Sequence, residues 1–92
     1  MYLVRENVID NKTTGYWVDE KIDGQLITSH FITLYPKITC SCQYFQESHN
    51  PLNHFHIQVL KYWLKEGSPK FAMYKKSKIG KVIKVFDGFS DS

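Results

Sequence analysis

Apolar and polar positions alternate with a period of two along most of this chain, and change once to a spacing of three and four. Tyr2 to Ile9 is rich in β-branched and aromatic residues and reads as a strand. Asp10-Asn11-Lys12-Thr13-Thr14-Gly15 has turn chemistry, with Gly15 free to take positive φ. Tyr16-Trp17-Val18 opens a second strand, and Asp23-Gly24 is a two-residue hairpin signal. Gln25 to Tyr35 forms a long third strand, with Ile27, Ser29, Phe31, Thr33 and Tyr35 on one face. Leu26, Thr28, His30, Ile32 and Leu34 share the other, so both faces are partly apolar. Pro36 interrupts this run, and Ile38-Thr39-Cys40 resumes extended chain.

The change of period marks a helix. Leu52, Phe55, Val59, Leu60, Trp63 and Leu64 recur at three- and four-residue intervals and make an apolar stripe. Trp63 stands four residues from Val59 and three from Leu60, so it is expected to be buried with them or with Phe55. Gly67 suits the left-handed position after the last turn, Ser68-Pro69 stops the run, and Lys61 and Lys65 favour the negative end of the helix dipole. Asn50 before Pro51 has the form of an N-terminal cap. Phe71 to Tyr74 and Lys81 to Phe86 then read as two strands joined by a turn at Ser77-Lys78-Ile79-Gly80, with Phe89 to Ser92 a frayed tail. The fold class is therefore α+β: an antiparallel β meander, one amphipathic helix, and a basic C-terminal β-hairpin at about 70–86.

At 92 residues the chain is read as one domain, 1–92, whose thin core invites a metal as a supplement. No run approaches ~18 apolar residues, so no membrane partner is expected. Met1 to Glu6 lacks the basic and apolar blocks of a signal peptide, which points to an intracellular protein, cytoplasmic or nuclear. In that setting thiols serve metals rather than disulfides, and a Cys40–Cys42 bridge would close a small, strained ring.

Those are the only two cysteines, and Cys40-Ser41-Cys42 is followed eleven residues later by His54-Phe55-His56. Thiolate and imidazole are the donors that Zn2+ prefers, and a closed tetrahedral site needs four. Cys40 and Cys42 would point to one face of a straight strand about 6.6 Å apart, so the backbone must turn for both to reach one ion. Two residues on a regular helix span about 200° of rotation, so His54 and His56 cannot both bind from inside it. The helix must therefore start at Asn53 or His54, with His56 in its first turn. The prediction is one structural zinc held by Cys40, Cys42, His54 and His56. Other readings stand beside it: the cysteines as small core hydrophobes, the histidines as surface residues, or His49 in place of one of them. His30 reads as structural. No paired carboxylates and no activated nucleophile are visible, and four protein ligands leave no open position for water, so no catalytic residue is expected.

Ile38-Thr39-Cys40-Ser41-Cys42-Gln43-Tyr44-Phe45, with His54-Phe55-His56-Ile57-Gln58-Val59-Leu60, resembles the SWIM zinc finger over about residues 16–64. That family has Cys-x-Cys, a variable spacer, then Cys-x-His leading into an apolar helix in β-β-α order. Phe45 matches an aromatic often present there, and His56-Ile57 matches the His-Ile helix start. His54 replaces the third cysteine, which leaves the site one negative charge poorer. The resemblance implies a binding module for DNA or for protein partners.

Charge is uneven. Residues 1–56 carry Arg5, Lys12, Lys21 and Lys37 against Glu6, Asp10, Asp19, Glu20, Asp23 and Glu47, a net −2. Residues 57–92 carry eight lysines against Glu66, Asp87 and Asp91, a net +5. A polyanion would meet the C-terminal third first. Lys75, Lys76, Lys78 and Lys81, flanked by Lys61 and Lys65, are the candidate nucleic-acid contacts, with DNA favoured, and Phe71, Tyr74 and Phe86 interleave aromatics for stacking. The alternatives are a merely solvated hairpin face and a protein-interaction adaptor. Tyr62 is expected as an exposed aromatic beside Lys61.

Overall fold

The computed structural model describes residues 1–42 and 54–87. Expectations resting on Phe45, His49, the Asn50-Pro51 cap, Leu52 and the 88–92 tail lie outside the described residues.

Six strands and one helix make a small α+β arrangement: β1 (Tyr2–Ile9), β2 (Lys12–Ile22), β3 (Gln25–Thr33), β4 (Thr39–Cys40), α1 (Phe55–Lys65), β5 (Met73–Lys76) and β6 (Val82–Phe86). The strands form one sheet in the order β4-β3-β2-β1-β5-β6, and every neighbouring pair is antiparallel. The β2–β3 hairpin turns at Asp23 and Gly24, both at positive φ, as that dipeptide predicts. The β1–β2 hairpin turns earlier than expected. Asp10 and Asn11 take the positive φ angles, and Gly15 lies inside β2. Gly15 serves packing instead of turning: a Cβ there would run into the Phe31 ring and approach the Ile32 carbonyl to 3.0 Å. The third strand stops at Thr33, before a cis Tyr35–Pro36 bond.

His54 caps α1, so the later of the two helix starts is the observed one. The helix ends as its residues specify. Gly67 N–H donates to Leu64 O at 3.1 Å and Ser68 N–H to Trp63 O at 3.0 Å, with Gly67 at φ 87°. The buried stripe is Ile57, Val59, Leu60 and Trp63. Trp63 packs edge-on to Tyr16, and its Nε1–H donates to Pro69 O at 2.8 Å. Tyr62 is half-buried against Tyr74 and not the exposed aromatic expected.

Register places the sheet's inner face. Val4 pairs with Val18 and Val18 with His30, while Tyr16 pairs with Ile32 and Ile32 with Cys40. Directly opposed residues share a face, so these two rows lie on the side that buries Val4, Val18, Ile32 and Cys40 in the core with the helix stripe. Each such fully buried side chain contributes about 1.5–3 kcal/mol. The outer face carries a polar network in which Arg5 Nε–H donates to Asp19 Oδ2 at 2.6 Å and the Ser29 hydroxyl donates to Asp19 Oδ1 at 2.6 Å. Arg5 lies 5.3 Å over the Trp17 ring, and Trp17 packs on Phe31 at 4.8 Å. No helix among the described residues is long and apolar enough to cross a membrane.

Candidate metal centre

Three elements bring four donors to one point. Cys40 ends β4, held there by its pairing with Ile32, and the chain turns at Ser41 so that the Cys42 thiol comes within 4.8 Å of the Cys40 thiol. Ser41 fixes that turn: its N–H donates to Phe31 O at 2.9 Å, and its hydroxyl accepts the Phe31 N–H at 2.9 Å. His54 reaches in from extended backbone at φ −88°, ψ 119°, just before the helix, and His56 from the first turn. The two-residue spacing is accommodated by using different ring nitrogens, the distant Nε2 of His54 and the nearer Nδ1 of His56.

The four donor atoms all lie within 4.8 Å of one another. His54 Nε2 stands 2.9 Å from Cys42 Sγ, 3.3 Å from Cys40 Sγ and 3.2 Å from His56 Nδ1. A ring nitrogen carries one proton or one lone pair, so three such neighbours cannot all be satisfied by it. A shared cation satisfies them together. With M–S about 2.3 Å and M–N about 2.0–2.1 Å, the edges of a tetrahedron run about 3.3–3.8 Å. The three separations from His54 Nε2 lie at or just below that range, the whole set stays within 4.8 Å, and both cysteines are thiols outside any disulfide. The residues present therefore fit a metal ion.

Electrostatics agrees. Burial pushes the Cys40 thiol up to about 12, with the Cys42 side chain adding to the shift and the Cys42 and Ser41 backbone N–H groups opposing it. A thiolate is unfavourable there without a cation, and a bound metal reverses that balance. Burial also lowers both histidines, His56 to about 3 with His30, His54 and Lys76 contributing. Each imidazole is thus neutral at ordinary pH, the form a metal needs.

His30 is structural, as its sequence reads, but its place against the donor cluster was not foreseen. Its ring stacks on His56 at 4.0 Å and 25°, while Tyr2 flanks the same ring at 5.9 Å. It lies on the face of β3 that carries Ile32, two residues on, and Ile32 opposes Cys40. Period-two reading already puts His30 on the Ile32 face, and the pairing of β3 with β4 is what brings that face to Cys40.

The six candidate lysines Lys61, Lys65, Lys75, Lys76, Lys78 and Lys81 are all exposed, yet they do not share one plane. Lys76 opposes Val82 and lies 5.5 Å over the Phe55 ring on the helix side, whereas Lys75 opposes Ile83 on the other. Lys84 is engaged by Glu66 at 2.6 Å and Asp87 at 3.1 Å. Of the interleaved aromatics, Tyr74 is fully buried and cannot stack on a ligand, while Phe71 and Phe86 are exposed. Compared with known protein families, curated proteins and solved structures, the chain matches none.

Proposed function

We propose that this chain is a small zinc-binding module of the SWIM type, with a structural ion and a lysine surface for nucleic acid, DNA above all. The observation that carries the metal half is the convergence of Cys40, Cys42, His54 and His56 within 4.8 Å. Two thiolates and two imidazoles in a tetrahedron select zinc over the hard cations that prefer oxygen. Bound there, zinc would supply a cross-link between β4 and the start of α1. Four protein donors complete its coordination, so this reading assigns the protein no catalytic residue. The Cys-x-Cys turn followed by His-x-His at a helix start supports the family resemblance, and His54 is the departure from it.

Elemental analysis should find one zinc per chain, lost or strongly weakened in His56→Ala and retained in His49→Ala. No metal, together with a thermal melt indifferent to chelator, would overturn the metal half. A protein-interaction adaptor is the second reading, favoured by Ile83, Val85 and Phe86, which are 40%, 37% and 43% exposed on the terminal strand β6. Salt separates the two, since phosphate contacts weaken steeply with ionic strength and apolar contacts do not.

A further inference from the structure

β5 meets β1 through one residue pair, Tyr74 with Tyr2, and β1 begins at Tyr2. From Lys75 outward, β5 and β6 therefore have only each other as strand partners among the described residues, through Lys75–Ile83 and Lys76–Val82. This part of the hairpin is a two-stranded ribbon that runs past the sheet, its helix-side face resting on the core through Val82 and on the Phe55 ring through Lys76. Its turn is closed by Ser77 N–H to Lys81 O at 2.8 Å and Lys81 N–H to the Ser77 hydroxyl at 2.9 Å. Lysines sit on both of its faces, Lys76 on the helix side and Lys75 on the other, and Lys78 and Lys81 flank the tip.

Resting on the nucleic-acid reading above, we propose that this ribbon enters the major groove of a DNA duplex and contacts the phosphates of both strands. Lysines on opposite faces cannot lie on a single phosphate track together. A groove has a phosphate backbone on each wall, and the major groove of B-form DNA, about 12 Å wide, admits a two-stranded ribbon. Ammonium groups on flexible stems hold phosphates and carry little sequence information. Ile79, 78% exposed within the turn, is the apolar group at the leading end, where thymine methyls line the groove.

The test uses the zinc-loaded chain and fluorescence anisotropy at low salt. Its probes are two unrelated short DNA duplexes, one of their single strands, and an RNA duplex of matching sequence. Both DNA duplexes should bind alike, and tighter than the single strand and the RNA by about tenfold or more, because the major groove of A-form RNA is too narrow to enter. Lys75→Gln and Lys76→Gln should each weaken duplex binding and lower the salt slope by about one, with circular dichroism unchanged, and Lys75→Gln, on the face away from the helix, should leave zinc content unchanged as well. Single strand or RNA bound as well as duplex DNA, or an effect from only one of the two lysines, overturns the groove geometry and leaves the nucleic-acid reading standing. Binding to none of the probes overturns that reading itself.

Discussion

The metal centre and the basic ribbon are both built from a few polar residues on short elements, but they arrange them in opposite ways. At the centre, four donors from β4, the following turn and the start of α1 point inward to one spot, and Cys40 and His54 are 1% and 3% exposed. On the ribbon, Lys75 and Lys76 point apart, and with Lys78 and Lys81 they are exposed, Lys76 above the Phe55 ring. Convergent, desolvated groups are costly unless something fills the space between them, so they imply one small ligand of defined geometry. Divergent, solvated charges cost nothing to keep and imply a large partner held by charge. The first region should therefore carry stability, and the second should carry affinity without stability.

The largest effect expected from this contrast is loss of metal. Free zinc a thousandfold above its dissociation constant stabilises a fold by about 4.1 kcal/mol, or roughly 16–32 °C in the melt of a domain this size. Removing zinc by chelation, or one ligand by His56→Ala, should lower the melting temperature by that order. Lys75→Gln, Lys76→Gln and Lys78→Gln together should move it within about ±0.5 kcal/mol per site. Equal destabilisation by the two sets would erase the contrast.

Next in size is the helix that joins the two regions, with Phe55 beneath Lys76 at one end and Glu66 bound to Lys84 at the other. Trp63 anchors it at 4% exposure. Trp63→Ala should cost about 3–5 kcal/mol, and Trp63→Phe less, since it keeps most of the packing and loses the bond to Pro69 O. A Trp63→Ala protein that melts like the parent would show that the stripe is not the anchor.

A smaller effect tests how finely the centre is held. His30 stacks on His56 and contributes no donor atom to the cluster. An aromatic pair contributes about 0.5–1.5 kcal/mol beyond area burial, so His30→Ala should weaken zinc affinity by up to about tenfold and alter the d–d spectrum of the cobalt-substituted protein. His30→Phe should restore most of the affinity. No change in either variant would make His30 a bystander.

Much of this was legible in the residues. Asp23-Gly24, the apolar stripe and Gly67 announced a hairpin, a helix and its end, because each depends on neighbours close in sequence. The convergence of Cys40, Cys42, His54 and His56 was legible because ligand chemistry and the two-residue spacing of the histidines left few arrangements. What stayed hidden depends on pairing between distant strands. Gly15 reads as a turn glycine until Phe31, opposite Trp17 on β3, lays its ring over it. Tyr74 reads as a stacking platform until Tyr62 covers it, and Lys75 and Lys76 read as one patch because the strand is expected to end at Tyr74, whereas β5 runs on to Lys76 and turns them to opposite faces.

The smallest prediction keeps the metal centre's acid sensitivity from being confused with that of the sheet. Protons compete with zinc for thiolates and imidazoles, so the centre should fail first as pH falls. Asp19 responds later. Burial alone would raise its carboxyl, but the hydrogen bonds from Arg5 and Ser29 and the charge of Arg5 outweigh burial and hold it below the ordinary aspartate value. A depressed folded-state value means that the contribution is fully present above the unfolded value, about 3.9. It drains away as pH falls through the lower, folded one. The Arg5 side chain is 55% exposed, so the network's worth is discounted for solvent to about 1 kcal/mol. Asp19→Asn should therefore melt about 4–8 °C below the parent at neutral pH. The gap should close below the ordinary aspartate range, with zinc release unchanged at every pH. A gap that stays constant through acid would mean that the Arg5–Asp19–Ser29 network adds nothing by its charge.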